Sequence, residues 1–88
     1  MRVVCVWKRE TDYGREMEDW LADFEHMTGR ELESLDPETV EGESFARAYD
    51  IVEFPTIVAL GDFGKVQEMW KGMPLPRIDD VLYFCKNM

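Results

Sequence analysis

Two short apolar runs constrain the fold of this chain more than any other feature. VVCVW at residues 3–7 and TIVAL at residues 56–60 are continuous and rich in β-branched residues. Such runs are typical of strands covered on both faces, because a strand with one wet face alternates apolar and polar side chains. The chain is therefore predicted to form a sheet with helices packed on both sides.

An amphipathic pattern after the first run predicts the longest helix. From Tyr13 onward, large apolar residues recur at a spacing of three and four, which places them on one helical face. Thr11 or Asp12 is predicted to cap the start, and Gly29 to end the helix in the left-handed conformation. The apolar residues are Tyr13, Met17, Trp20, Leu21, Phe24 and Met27.

The middle of the chain predicts a short strand and a short helix. RELESL at residues 30–35 is charged and weakly alternating, which suits the edge of a sheet. Residues 38–50 are predicted to form a short or irregular helix on which Phe45, Ala48 and Tyr49 share one face.

The last third predicts a hairpin and a final helix. GDFG at residues 61–64 is rich in turn residues, and KVQEMWK at residues 65–71 alternates like a strand. Pro76 is predicted to open the helix, whose apolar face consists of Ile78, Val81, Leu82 and Cys85. The predicted order is strand, helix, strand, helix, strand, strand, helix, which gives an α/β fold.

Size and charge limit the classes of function. The chain has 88 residues, which make one domain over residues 1–88. Its formal net charge is −9, and no cluster of Lys or Arg offsets the repulsion of phosphate groups. Nucleic acid and anionic membranes are therefore not expected as partners. No apolar run approaches the roughly 20 residues of a membrane span, so we expect a cytoplasmic protein.

The predicted element order, together with Y-x-I-x-x-F-P-T at residues 49–56, resembles the thioredoxin family. Trp7 at the end of the first strand, FGK at residues 63–65 and Gly72 also match that family. The resemblance covers nearly the whole chain and implies a minimal thioredoxin-like fold, βαβαββα, without the extra N-terminal strand and helix. It implies a four-stranded mixed sheet of order 2-1-3-4, flanked by three helices, with the charged RELESL strand at an edge.

The resemblance also implies a cis peptide bond before Pro55. This bond would turn the backbone at Phe54 outward and leave its polar groups free to pair with an extended peptide. The predicted peptide-binding groove consists of Trp7, Thr11, Tyr13, Phe54, Pro55, Thr56 and Met73. Basic or extended partners would suit the acidic chain.

The redox motif of thioredoxins is missing from the expected place. Counting from Trp7, TDYG at residues 11–14 stands where the family has C-x-x-C, so Thr11 and Gly14 replace the two cysteines. Cys5 occupies the position of the buried acid that assists proton transfer in many thioredoxins. A threonine hydroxyl stays protonated at neutral pH, so dithiol exchange, and with it any catalytic residue, is not expected.

The remaining reactive residues favour structural roles. Cys5 and Cys85 are predicted to be buried, either as free thiols or as a disulfide. His26 has no ligand partner one turn away and is predicted to face solvent, so we expect no metal and no cofactor.

Three hypotheses of function remain open at this stage. The first is a non-catalytic protein that binds a protein or peptide. The second is an enzyme that binds glutathione or another thiol and has only the hydroxyls of Thr11 and Tyr13 for activation. The third is self-association through the strand that carries Trp70, so the chain is expected to be a monomer or a weak dimer.

Overall fold

The computed structural model describes residues 2–85 and contains four strands and three α-helices. In chain order, these are β1 (Arg2–Val6), α1 (Gly14–Thr28), β2 (Glu33–Leu35), α2 (Val40–Ala48), β3 (Thr56–Leu60), β4 (Val66–Lys71) and α3 (Ile78–Cys85). A short 3-10 turn at Asp62–Gly64 joins β3 to β4. The predicted order of elements is confirmed.

The four strands form one mixed sheet in the order β2-β1-β3-β4. β1 runs parallel to β2 and antiparallel to β3, and β3 pairs antiparallel with β4. The predicted strand order is therefore confirmed, with the short charged strand β2 at one edge and β4 at the other. At the β2 edge, Arg2 donates two hydrogen bonds to the Glu33 carboxylate, of 2.9 and 2.6 Å.

The core has two layers because alternate residues of the central strands face opposite sides. α1 and α3 cover the side that carries Val3, Cys5 and Trp7, and α2 covers the other side. All five residues of β3 are buried, as the apolar run TIVAL predicts. The largest fully buried side chain is Phe24 of α1.

The ends of α1 differ from the prediction at one terminus. Neither Thr11 nor Asp12 caps the helix, because Tyr13 occupies the N-cap position without a side-chain hydrogen bond. The Thr11 hydroxyl instead donates to the carbonyl of Lys8, before the helix. Gly29 ends the helix with φ 73° and donates its N–H to the carbonyl of Glu25, so that prediction is confirmed.

Three residues of the predicted helices are placed differently in the structure. Met27, in the last turn of α1, is 68% exposed, so the predicted face was wrong at that residue. In α2, Ala46 is buried and Ala48 is exposed, so the predicted face was wrong at that residue. α3 begins at Ile78 rather than at Pro76, whose carbonyl accepts a hydrogen bond from the Trp20 indole.

Within residues 2–85, no helix has both the length and the apolar character needed to cross a bilayer.

Candidate functional site

The candidate site lies at one end of the sheet, where three loops meet. Val6 pairs with Thr56, and Thr56 pairs with Lys71, so the loops that adjoin these residues are neighbours. The N–H of Gly72 donates a 2.7 Å hydrogen bond to the carbonyl of Pro55 and ties two of the loops together. We call the region formed by residues 7–14, 53–56 and 72–74 the proline end of the sheet.

Phe54 presents main-chain groups at the proline end. The Phe54–Pro55 peptide bond is cis, and both Pro55 and Thr56 are buried. The Thr56 hydroxyl donates a 2.5 Å hydrogen bond to the carbonyl of Glu53, which holds the loop in place. Among the hydrogen bonds of residues 2–85, none involves the N–H or the C=O of Phe54. These two groups are available to pair with an extended chain.

Lys8 connects two of the predicted site residues, although it belongs to no motif and was assigned no role from the sequence. Its main-chain N–H donates a 2.9 Å hydrogen bond to the Tyr13 hydroxyl oxygen. Its ammonium nitrogen lies 5.4 Å from the centre of the Phe54 ring, a cation–π distance. Lys8 therefore contacts Tyr13 through its main chain and Phe54 through its side chain, while the two aromatic residues pack against opposite layers of the core.

Trp7 lies on the other face of the sheet from Phe54. It is buried with the core that α1 and α3 cover, whereas Phe54 packs against the layer beneath α2. The Trp7 indole donates a 3.2 Å hydrogen bond to the Ser34 hydroxyl, and Arg9 lies 5.2 Å from its ring centre. Trp7 and Phe54 therefore do not line one common wall.

The other predicted residues differ in exposure. Thr11 and Tyr13 are half-buried, and Met73 is 42% exposed in the loop that follows Gly72. Met73 thus offers the most accessible apolar side chain of the predicted set. The binding roles of the whole set stay predictions.

The start of α1 leaves no room for a second cysteine. Gly14 is buried against the preceding loop, and a Cβ built there would overlap the carbonyl oxygen of Arg9. The N–H of Gly14 donates a 3.1 Å hydrogen bond to the carbonyl of Thr11, which holds the turn closed. The hydroxyls of Thr11 and Tyr13 are both engaged with main-chain atoms of Lys8.

A cleft of about 410 Å³ opens beside Trp7, between α1 and the β2 edge. Arg9 lies in it, 3.5 Å from the carboxylate of Glu18. Sequence reasoning missed this cleft, because its walls come from separate segments of the chain, and the available signal was a charged residue close to Trp7. Its lining residues are Trp7, Arg9, Glu18, Leu21, Ala22, Glu25, Glu31, Leu32 and Ser34.

Both cysteines are buried free thiols. Burial raises the pKa of Cys85, and it raises the pKa of Cys5 from its ordinary 9.0 to about 12. The pairing left open by the sequence is therefore resolved in favour of free thiols. His26 is exposed, and residues 2–85 contain no group of three His, Cys, Asp or Glu side chains placed to hold a metal ion.

Burial predicts that neither thiol reacts readily in the folded protein. The raised pKa lowers the thiolate fraction of Cys5 about a thousandfold near neutral pH, and the thiolate is the nucleophile. We expect iodoacetamide at mildly alkaline pH to label neither cysteine in the native protein and both in urea, as measured by intact mass. Rapid labelling of the native protein would contradict the burial of these residues.

The sheet order and the helices on both faces define a thioredoxin-like fold. The chain is similar to the solved structure of thioredoxin 1 from the thermophilic eubacterium Thermosipho africanus TCF52B. The TM-score is 0.64 at 13% identity, over 99% of this chain and 92% of that one. It is also similar to a structure described as a malarial protein, with a TM-score of 0.66 at 15% identity, over 97% of this chain and 92% of that one.

These likenesses concern the fold alone, because both identities are low. No family model matches the chain, and none of the curated proteins matches it. The role of this chain must therefore be argued from its own residues.

Proposed function

We propose that this chain is a non-catalytic, thioredoxin-like protein that binds an extended peptide segment at the proline end of the sheet. The observation that carries the proposal is the main chain of Phe54, whose N–H and C=O have no hydrogen-bond partner among residues 2–85. An extended peptide can pair with such groups as an added strand, and neighbouring side chains then supply specificity.

The side chains around Phe54 suit this mode of binding. The half-buried Phe54 ring offers an aromatic surface, and the exposed Met73 is flexible enough to fit different apolar side chains. The hydrogen bond between Gly72 and Pro55 holds the two loops in fixed relation, which lowers the entropy cost of binding.

The same region favours binding over thiol chemistry. Gly14 cannot carry a side chain without backbone movement, and the Thr11 hydroxyl already donates to the carbonyl of Lys8. The hypothesis of a glutathione-binding enzyme needs a donor that stabilises a thiolate. The Thr11 hydroxyl has already donated its hydrogen, so the Tyr13 hydroxyl, which accepts from the N–H of Lys8, is the one donor of the pair that remains for this role. Glutathione binding is therefore the alternative that the experiment below also tests.

The test is a peptide screen with a matched pair of variants. The full chain, labelled with ¹⁵N, is titrated with a library of random extended peptides while amide chemical shifts are recorded. We expect binding peptides to shift the amides of residues 53–56 and 72–73. Phe54→Asp should weaken binding at least about tenfold, because it removes the ring and adds a charge beside the paired main chain.

Phe63→Asp is the control, since it makes the same chemical change at a fully exposed ring in the β3–β4 turn. It should leave peptide affinity unchanged. Equal affinities for the two variants, or shifts confined to other regions, would overturn the proposal. Shifts at residues 11–14 on addition of reduced glutathione alone would favour the thiol-binding alternative.

A further inference from the structure

Among residues 2–85, no strand pairs with the outer side of β4. β4 is the last strand in the order β2-β1-β3-β4 and extends for six residues, Val66–Lys71. Edge strands of this kind present unpaired main-chain groups that can accept another strand. Because Glu68 pairs with Ala59 and Trp70 with Ile57, both side chains point to the face that α3 covers.

A cleft of about 440 Å³ lies between this edge and α3. Three aromatic side chains line it: Trp70, Tyr83 and Phe84. Phe84 packs edge-on against both neighbours, with ring centres 5.6 Å from Trp70 and 5.1 Å from Tyr83. Tyr83 is 67% exposed, so part of this aromatic surface is open to a ligand.

Three carboxylates line the same cleft, and the nearest cation of the chain is Arg77, which lies outside the lining at 3.9 Å from the carboxylate of Asp79 and leaves Glu68 and Asp80 without a salt bridge among the described residues. Glu68 comes from β4, and Asp79 and Asp80 come from the first turn of α3. Three other aromatic rings have a cation of the chain itself over them: Arg9 lies over Trp7, Arg2 over Phe45 and Lys8 over Phe54. In the β4–α3 cleft, the rings and the carboxylates together would suit a cation from outside.

We propose that the β4 edge binds an extended basic segment of a partner protein by strand addition. Alternate Arg or Lys side chains of the added strand would enter the β4–α3 cleft, where the aromatic rings contact them and the carboxylates neutralise them. This surface includes none of the residues assigned to peptide binding at the proline end, and the proposal does not depend on that function.

Charge complementarity favours this occupant over a second copy of the chain. The net charge is −9, and pairing two β4 edges would place two sets of cleft carboxylates near one another. Like charges at a pairing edge oppose association, whereas a basic strand gains from the same field. Arginine is particularly suitable, because its planar group stacks on aromatic rings and pairs with carboxylates.

The test uses a synthetic peptide in which arginine alternates with threonine, titrated into the full chain. We expect amide shifts in residues 66–71 and 79–84. Asp79→Asn with Asp80→Asn should weaken binding at least about tenfold, because two charges that face the peptide are lost. Glu16→Gln with Asp19→Asn is the matched control: it removes the same charge from exposed positions on α1 and should leave most of the affinity intact.

Two further measurements separate the contributions of side chains and main chain. Tyr83→Ala changes an exposed side chain, so it should fold normally and still weaken binding several-fold. A peptide N-methylated at alternate residues cannot pair as a strand on its methylated side, so it should bind more weakly than the parent peptide.

Several results would overturn the proposal. These are equal binding of a glutamate–threonine peptide, equal losses in the two charge-removing double variants, and shifts that map to residues 53–56. A dimer in sedimentation whose interface is β4 would also overturn it, since a second copy would then be the occupant. Phe54→Asp should not affect binding of the basic peptide at the β4 edge. A failure of this proposal is therefore distinguishable from a failure of peptide binding at the proline end.

Discussion

Phe24→Ala is expected to lower the free energy of unfolding by about 3–5 kcal/mol. Phe24 is fully buried in the layer between α1 and the sheet, and it stacks on Trp20 with ring centres 5.4 Å apart. Truncation removes the buried ring and leaves a cavity that the close-packed neighbours fill only in part. A chain of this size has a total stability of roughly 4–13 kcal/mol, so the variant should be close to unfolding. Urea denaturation followed by circular dichroism measures the loss.

Met27→Ala provides the control for that measurement, because it lies on the same helix less than one turn further on. Its side chain is 68% exposed, so the expected change is within about 0.5 kcal/mol. A comparable loss in both variants would show that Met27 is packed in solution, which contradicts its exposure at the end of α1.

The comparison of these two residues shows what the sequence could predict about the fold. The spacing of apolar residues correctly placed Met17 and Phe24 toward the core, because a helix of regular period fixes which side chains share a face. The same spacing placed Met27 there as well, although its side chain is 68% exposed, since periodicity does not reveal which turns of a helix are covered. For β3, the apolar run alone predicted the burial of each residue correctly, because all five residues of that strand are covered.

The candidate site was less predictable, because its geometry depends on contacts between loops. Alternation along β1 predicts that Trp7 and Cys5 lie on the same face of the sheet. Phe54 precedes β3 and lies in a loop, so no alternation predicts that it packs on the other face. Lys8 ended an apolar run and carried no motif, yet it contacts both Tyr13 and Phe54. The contact between Gly14 and the carbonyl of Arg9 could not be predicted either, since it requires the path of the loop.

The two proposed binding surfaces differ in how much the sequence reveals of them. Phe54 was assigned through the motif at residues 49–56, within a resemblance that covers nearly the whole chain, so its setting could be expected from the sequence. The β4–α3 cleft joins Glu68 to Asp79 and Asp80 across a loop. Asp79 and Asp80 lie in the first turn of α3, where the helix dipole alone is a sufficient reason for acidic residues. Only the strand order and the packing of α3 bring them beside Trp70.

Gly14→Cys is expected to destabilise the fold by about 3 kcal/mol, and the double change of Thr11→Cys with Gly14→Cys should not produce a disulfide reductase. Any Cβ at residue 14 overlaps the carbonyl oxygen of Arg9, and a main-chain atom cannot rotate away as a side chain does. The loop before α1 must therefore shift, and the two introduced thiols lose the fixed geometry that dithiol exchange requires. Urea denaturation measures the stability, and reduction of insulin by dithiothreitol measures the activity.

Gly14→Ala tests whether the loss of stability in Gly14→Cys comes from the added Cβ or from the thiol. Alanine adds the same Cβ without a thiol, so it should destabilise the protein about as much as cysteine does. Arg15→Ala, at the exposed neighbouring position of α1, should change the stability by less than about 0.5 kcal/mol. If Gly14→Ala were as stable as the parent chain, the close contact would not exist in solution. The start of α1 could then accept the thioredoxin motif, and the backbone there would not exclude dithiol chemistry.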